Sequence, residues 1–297
     1  LGAETLRLGS QALLVCDDFV RARLLPSIVA ALGNGISCEV AVITGPCSPS
    51  AIEAACRQAR AAGSDVVIGI GGGKVMDSAK LIADSISLPL ILVPSIAATD
   101  APCSAIAVLC DEEGRLDRYV FLPRSPDLVL VDTNLILAAP ARMLIAGIGD
   151  ALTTWYEMEE SRQQGLCNLA DGAIGELPRA LARHCRDLIL SQALAALASQ
   201  RAGEDSPAFE AVVEANILLS GLGFESGGLG SAHAIGNGLA RLPGAKGALH
   251  GELVAVGLLA MLRLQGDEDE FARIAAFCAA VGLPCSLADL GLADLSA

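Results

Sequence analysis

Three residues that lie far apart in the sequence carry side chains suited to binding a divalent metal ion. Asp150 follows the segment AGIG and opens a predicted helix. His233 and His250 lie among small residues, which we interpret as room for an ion or a ligand. One carboxylate and two imidazoles, with one coordination position left open, form a catalytic metal site. The turn expected over residues 242–249 joins two helices, and antiparallel helices with a short turn can bring both imidazoles together. Each residue alone also fits a structural role, such as helix N-cap for Asp150.

A glycine-rich segment, GIGGGK at residues 69–74, follows a predicted strand and opens a predicted helix. Glycines there let the backbone approach a phosphate closely, and the helix N-terminus offers free N–H groups and the positive end of the helix dipole. The segment matches neither the G-x-G-x-x-G fingerprint nor a P-loop. It predicts a phosphate-binding turn at Gly71, Gly72, Gly73 and Lys74, and a tight structural turn is the alternative.

A second polar loop, PSIAATDAPCS at residues 94–104, follows another predicted strand. In open α/β sheets, ligands bind at the carboxyl ends of the strands. The hydroxyl groups of Ser95, Thr99 and Ser104 suit contacts to ribose, phosphate or a polyol, and so does the carboxylate of Asp100. A capped loop without a ligand is the alternative.

The first half of the sequence predicts a Rossmann-like α/β domain that positions these loops. Short β-rich runs alternate with helical stretches, as in a parallel sheet covered by helices on both faces. The runs lack polar alternation, as expected for strands buried on both sides. Residues 105–110 and 118–122 flank DEEG at 111–114 and predict a β-hairpin. The other strands are expected at residues 12–16, 39–44, 65–70, 89–93 and 128–131.

The second half predicts an all-α domain, because strand-like runs vanish after Pro140 and Ala/Leu-rich helical stretches replace them. We place the boundary between Ala139 and Pro140. This gives an α/β domain over residues 1–139, which carries both candidate ligand-binding loops, and a helical domain over residues 140–297, which carries the candidate metal ligands. Helices are expected over residues 150–161, 177–199, 208–222, 226–241, 251–264 and 268–281.

Composition narrows the possible classes of function. The chain has 297 residues, 53% of them hydrophobic and 18% charged, which suits two packed domains. Its net charge of −14 repels nucleic acid and anionic membranes, so neither is an expected partner. The longest uncharged stretch, residues 85–99, is too short to cross a membrane, and no segment predicts a signal peptide. The ten cysteines contain no C-x-x-C pair, which favours free thiols in a reducing cytoplasm.

Five segments, in order, resemble the glycerol dehydrogenases of the iron-containing alcohol dehydrogenase superfamily. They are GGGK at 71–74, ATDAPCSA at 98–105, AGIGDALTTW at 146–155, EANILLSGLGFESGGLGSAHAIGNGL at 214–239 and LHGE at 249–252. The resemblance runs from residue 8 to residue 292. It implies the dehydroquinate synthase-like architecture, in which a Rossmann-like domain precedes an all-helical one. It also implies a cytoplasmic homo-oligomer, an octamer in this family.

The resemblance assigns roles to individual residues. It implies one zinc ion per subunit held by Asp150, His233 and His250, which with Asp100 form the catalytic and substrate-binding set. Asp17 matches an acidic residue that contacts the adenine ribose, and a carboxylate there favours NAD over NADP. The other residues expected to line NAD are Gly71, Gly72, Gly73, Lys74, Val75, Met76, Asp77, Ser95, Ile96, Ala97, Ala98, Thr99, Ser104, Ile106 and Cys110.

One position discriminates within the superfamily, and two others depart from the pattern of the glycerol enzymes. Iron-dependent members carry D-x-x-x-H, whereas residue 154 is Thr, a poor metal ligand, which favours a three-ligand zinc site over iron. Cys110 stands where the glycerol enzymes often have Tyr, and Gly236 replaces a common His.

The predicted reaction is the oxidation of glycerol, or a similar small polyol, to dihydroxyacetone by hydride transfer to NAD. Three alternatives stay open. A glycerol-1-phosphate dehydrogenase needs cationic residues at the pocket, where Arg241 and Lys246 are the few candidates. A dehydroquinate-synthase-like lyase uses NAD and zinc without net formation of NADH. A catalytically silent relative binds NAD without turnover.

Overall fold

The computed structural model describes residues 1–292 and divides the chain into two units. The first unit comprises residues 1–96 and 101–132, and the second comprises Ala97–Asp100 and the chain from Thr133 onward. The division at Asp132–Thr133 precedes the expected boundary at Ala139–Pro140, because the short helix Thr133–Leu137 belongs to the second unit. Residues 293–297 of the expected helical domain lie outside the described residues.

The first unit alternates strands and helices. Its strands are β1 (Gln11–Cys16), β2 (Ser37–Val42), β3 (Val66–Gly71), β4 (Leu90–Pro94), β5 (Ile106–Cys110), β6 (Leu116–Phe121) and β7 (Leu128–Val129). Its helices are α1 (Gly2–Thr5), α2 (Asp18–Arg23), α3 (Leu25–Leu32), α4 (Pro49–Ala62) and α5 (Gly73–Ile86), with a 3-10 turn at Ala101–Cys103. The predicted strands are confirmed, with ends that differ by a residue or two. Helices α2 and α3 were not predicted.

The described part of the first unit contains a parallel sheet of five strands in the order β2-β1-β3-β4-β7. Strands β3 and β4 are buried along their whole length, and β1 is buried at every residue except Gln11. This explains their unbroken apolar runs, since helices cover both faces of such strands. Strand β2 lies at the edge and is only partly buried. The predicted hairpin is confirmed as the antiparallel pair β5–β6.

One face of the sheet carries a hydrophobic core shared with α4 and α5. Large aliphatic side chains dominate it, as expected for a chain with only 3% aromatic residues. Its fully buried members include Leu13, Val67, Met76, Ile82 and Leu92. This core fixes α5 against β3, so the turn between them, at Gly71–Gly73, is held at the carboxyl edge of the sheet.

The second unit is helical within its described residues, apart from an isolated bridge at Lys246 and Ala248. Its helices are α6 (Thr133–Leu137), α7 (Ala141–Gln163), α8 (Glu176–Ala202), α9 (Pro207–Glu214), α10 (Ser220–Gly227), α11 (Ser231–Ala240), α12 (His250–Gln265) and α13 (Glu268–Val281). A π-helical turn, Ala215–Leu219, joins α9 to α10, and a 3-10 turn occupies Pro243–Ala245.

The predicted helices are confirmed in type, but the expected starts of the first and the fourth are wrong. Helix α7 begins at Ala141, not at residue 150, so Asp150 lies inside the helix and is not its N-cap. We expected a helix over residues 226–241, and α11 begins only at Ser231. Gly228 ends α10 with φ of +89°, a conformation that an L side chain rarely adopts, and the chain is extended at Gly230. The break matters because it makes Ser231 the first residue of a helix and places His233 in its first turn.

Within the described residues, one helical stretch, Pro207–Gly227, is long and apolar enough to cross a membrane by length and composition alone. In the protein, 61% of its apolar window is buried. A core helix of a globular domain meets the same criteria. The ten cysteines, all within the described residues, are free thiols, as predicted.

Glycines let the backbones of α7 and α12 touch. A Cβ atom built on Gly251 would lie 1.8 Å from the carbonyl oxygen of Ala146, and one on Gly149 would lie 2.4 Å from the carbonyl oxygen of Gly251. No side chain fits between the helices at this crossing. Our interpretation of the small residues around His250 as room for a ligand is therefore wrong for Gly251, whose space is filled by the backbone of α7. The crossing lies immediately beside Asp150 and His250.

We predict that Gly251→Ala lowers the free energy of unfolding by about 1–3 kcal/mol, because the added methyl group forces α7 and α12 apart. Denaturant unfolding of the metal-free protein measures the effect. Gly238→Ala is the matched control, since a Cβ atom there meets nothing within 4 Å and alanine is the better helix former. Equal stabilities of the two variants would contradict the close crossing.

Candidate metal and substrate site

The three predicted metal ligands converge in the second unit. Asp150 lies in the middle of α7, His233 in the first turn of α11, and His250 is the first residue of α12. One ligand atom from each residue lies within 4.8 Å of the others. The Nε2 atoms of both imidazoles lie 3.5 Å from Oδ1 of Asp150, and the ring centroids are 5.2 Å apart.

These residues fit a divalent metal ion. Asp150 is only 2% exposed, and neither of its carboxylate oxygens has a hydrogen-bond partner. Ligands about 2.0–2.2 Å from a tetrahedral zinc ion lie roughly 3.3–3.6 Å from one another, which matches the two oxygen–nitrogen separations. The side chain of His250 is 45% exposed, so the site is open on that side. A cation would satisfy the buried oxygens that no protein group satisfies.

The site carries an excess of negative charge. Burial alone would raise the pKa of Asp150, but the charges of His250 and His233 outweigh burial and lower it. The pKa of His233 is raised well above its usual value: burial opposes the imidazolium, and the carboxylates of Glu157 and Asp150 more than compensate. Two carboxylates around one imidazole suit a bound cation.

The sequence prediction did not include Glu157, which lies two helical turns after Asp150 on α7. It is 1% exposed. Its Oε1 accepts a hydrogen bond of 2.7 Å from the backbone N–H of His233, and its Oε2 lies 2.6 Å from Nδ1 of the same residue. The spacing of seven residues places Asp150 and Glu157 on one helix face, which is the only signal that the sequence contained.

Asp100 accepts a hydrogen bond from the hydroxyl of Ser220, which in turn contacts a second hydroxyl. Ser220 donates a 2.6 Å hydrogen bond to Oδ2 of Asp100. The hydroxyl of Thr154 lies 2.9 Å from that of Ser220. Because Ser220 has one hydroxyl proton and gives it to the carboxylate, Thr154 is the donor in the second bond. Thr154 is thus placed one turn after Asp150 and bonds to Ser220, outside the group of ligand atoms.

Several residues expected to bind NAD lie at one edge of the sheet in the first unit. Asp17 follows β1, Gly71 ends β3, and Ser95 follows β4; these three strands are neighbours and parallel. The N–H of Ser95 donates a 2.9 Å hydrogen bond to the carbonyl of Gly71. This is the edge at which open α/β sheets bind ligands. Asp17 also caps α2, since its Oδ1 accepts a 2.8 Å bond from the N–H of Val20.

The glycine-rich turn would contact a ligand mainly through its backbone. Gly72 is the N-cap of α5, and Gly73 and Lys74 begin the helix. Lys74 is exposed, whereas the side chains of Val75 and Met76 are buried in the core. Any contact of Val75 and Met76 with a ligand would therefore involve their backbone. Burial raises the pKa of Asp77 to about 7, although the nearby Lys80 charge acts in the opposite direction.

A buried lysine that the sequence prediction did not include fixes the end of the second loop and the start of β5. Lys80 is 1% exposed, and its Nζ donates hydrogen bonds to the carbonyl of Ile106 (2.7 Å), the hydroxyl of Ser104 (3.1 Å) and the carbonyl of Ala101. Ser104 and Ile106 were both expected to line the cofactor. The ammonium group thus fixes the backbone that carries them.

The remaining expected residues have less defined roles. Ala97 and Ala98 precede Asp100, and the carbonyl of Ala97 accepts a 3.0 Å bond from the side chain of Asn216 in the π-helical turn. Ile96 and Thr99 are partly exposed. Cys110 ends β5, and burial raises the pKa of its thiol.

Comparison with known proteins identifies close relatives. Residues 1–133 match the family model of iron-containing alcohol dehydrogenases. The glycerol dehydrogenase of Thermotoga maritima is 44% identical over 303 residues, an alignment that covers 100% of this chain and 81% of the relative. The glycerol dehydrogenase of Pseudomonas putida is 40% identical, with 99% of this chain and 81% of the relative covered. The crystal structure of glycerol dehydrogenase from Schizosaccharomyces pombe superimposes with a TM-score of 0.92 at 37% identity, covering 99% of this chain and 75% of that one.

These relatives share the dehydroquinate synthase-like fold, which confirms the predicted fold class. They also indicate an NAD-dependent alcohol dehydrogenase. The chain belongs to the iron-containing alcohol dehydrogenase family.

Proposed function

We propose that the chain oxidises glycerol, or a similar small polyol, to dihydroxyacetone, with NAD as hydride acceptor and one zinc ion per chain. The buried, unpartnered carboxylate of Asp150 between two imidazoles is the observation that carries the proposal. Zinc is favoured over iron because Thr154 supplies no fourth ligand. The glycerol dehydrogenases among the relatives support the choice of substrate. A cytoplasmic homo-oligomer, an octamer by family resemblance, is part of the same proposal.

Different residues would bind the metal ion, the polyol and the cofactor. Asp150, His233 and His250 would hold the ion, which when bound supplies the Lewis-acid chemistry that makes an alcohol easier to deprotonate. Asp100 would accept a hydrogen bond from a second hydroxyl of the polyol and so orient it, since Ser220 and Thr154 fix its carboxylate. The glycine-rich turn and Asp17 would bind the pyrophosphate and adenine ribose of NAD.

We predict that zinc stabilises the chain only when Asp150 is present. The wild-type protein should bind one zinc ion, gain several degrees in Tm when zinc is added, and reduce NAD with glycerol. Asp150→Asn keeps the shape of the side chain but removes the charge, so both the zinc-dependent shift in Tm and the NADH formation should be lost. Metal analysis, thermal unfolding and an NADH assay over small alcohols and polyols test this. Wild-type protein that binds zinc but oxidises no vicinal diol would refute the substrate class.

We predict that Ser220→Ala raises the KM for glycerol by at least about tenfold, since a hydrogen bond to a charged group is worth about 1.5–3 kcal/mol. Thr154→Val should have a smaller effect, because Thr154 reaches Asp100 only through Ser220. Zinc content should stay unchanged in both variants. Steady-state kinetics and metal analysis of both variants measure these effects. An unchanged KM in Ser220→Ala would contradict the role of Asp100 in binding the substrate.

We predict that Asp17→Ser shifts cofactor preference toward NADP. Serine is also a good N-cap, so α2 should survive the change while the charge that repels the 2′-phosphate disappears. The ratio of kcat/KM for NADP to that for NAD should rise by roughly tenfold, the equivalent of about 1.4 kcal/mol. Asp18→Ser, which removes a charge from the first turn of the same helix, is the control. A similar ratio in both variants would contradict the role of Asp17.

A further inference from the structure

Two glutamates of α7 hold the N-terminus of α11, and they do so in different ways. Glu160 accepts hydrogen bonds from the backbone N–H of Ser231 (2.7 Å) and from its hydroxyl (2.6 Å). Glu157 accepts from the backbone N–H of His233 at 2.7 Å and contacts its imidazole at 2.6 Å. Both carboxylates satisfy N–H groups that the first turn of a helix leaves without an intrahelical partner. Only Glu157 also contacts a proposed metal ligand.

The contact determines which nitrogen of His233 can bind a cation. An ionised carboxylate only accepts hydrogen bonds, so Nδ1 must carry the proton that faces Glu157. In the neutral imidazole the other nitrogen, Nε2, then keeps its lone pair, and Nε2 is the atom that lies 3.5 Å from Asp150. The carboxylate thus selects the tautomer in which the lone pair points into the site.

Glu157 also fixes the position of the ring. One of its oxygens accepts from the backbone N–H of His233 and the other contacts the ring. Both the backbone and the imidazole of His233 are therefore fixed by one carboxylate. With 1% exposure, Glu157 is shielded from competing water. A carboxylate that accepts the second ring N–H of a metal-binding histidine orients that histidine and raises its basicity.

We propose that Glu157 is a positioning residue of the metal site: it selects the tautomer of His233 with Nε2 free and fixes the ring toward Asp150. The inference rests on the proposed metal site. Glu157 itself would contact neither metal, cofactor nor substrate. It would control the affinity of the site for the metal, which can be measured without turnover.

Glu157→Gln tests the selection of the tautomer directly. The backbone N–H of His233 is a fixed donor, so the new amide must turn its oxygen toward it. Its NH2 group then faces Nδ1, which has to become an acceptor, and the proton moves to Nε2. The variant keeps the helix cap and the shape of the side chain but carries the wrong tautomer for binding.

Zinc affinity, measured by competition with a chelator, should fall about tenfold to a hundredfold in Glu157→Gln. The control is Glu160→Gln, which removes a charge from the same helix end but leaves the imidazole untouched; its zinc affinity should stay within about twofold of wild type. Equal losses in the two variants would show that Glu157 only caps α11 and would overturn the inference. Failure of the wild-type protein to bind zinc would instead refute the proposed metal site.

A measurement on the wild-type protein tests the same point without relying on a variant that folds. The chain has three histidines, so the ring nitrogens are readily assigned by 15N NMR on histidine-labelled, zinc-loaded protein. We expect a protonated Nδ1 and a zinc-bound Nε2 in His233. A zinc-bound Nδ1, or a proton on Nε2, would overturn the inference.

Discussion

A buried carboxylate that no protein group satisfies is the constraint on which the second unit depends. Burying an ionised group without hydrogen bonds costs several kcal/mol unless an opposite charge lies close by. The positive charges that lower the pKa of Asp150 are those of the two imidazoles, whose Nε2 atoms lie 3.5 Å from its Oδ1. Its surroundings therefore make sense as a site completed by a cation, and three separate helices must stay together to supply the ligands. Because such a site exists only in the folded chain, binding of the cation stabilises the fold.

The backbone contact between α7 and α12 makes that convergence possible. Asp150 and His250 each stand beside a glycine at the point where the helices touch, and a single methyl group there would collide with a carbonyl oxygen. Bulky residues at this crossing would hold helix axes about 8–10 Å apart. The glycines beside Asp150 and His250 thus allow α7 and α12 to pack closely. This close approach of the two backbones determines the distance between the two side chains.

Sequence patterns predicted the features that depend on local order along the chain. Unbroken apolar runs predicted the strands, glycine clusters predicted the turn before α5, and the combination of Asp150, His233 and His250 predicted a metal site. The patterns did not reveal Glu157, Lys80 or Ser220, because each acts through a partner that is distant in sequence and each residue type is common in helices. The start of α11 was misplaced because a helical period continues across Gly228, whose positive φ only the structure shows.

Helix α7 therefore organises the site through side chains spaced three or four residues apart. Asp150 is a candidate metal ligand, and Thr154 bonds to Ser220, which donates to Asp100. Glu157 contacts the backbone and the ring of His233, and Glu160 caps the helix that carries His233. Side chains with this spacing share one face of a helix. A rotation of α7 about its axis would disturb all four contacts together, so this one helix links the position of Asp150 to the positions of Asp100 and of the His233 imidazole. This explains why α7 carries so many polar residues. Asp150, Thr154 and Glu157 are buried and Glu160 is partly buried. Thr154, Glu157 and Glu160 each bond to a partner on a different element, whereas a cation would complete the carboxylate of Asp150.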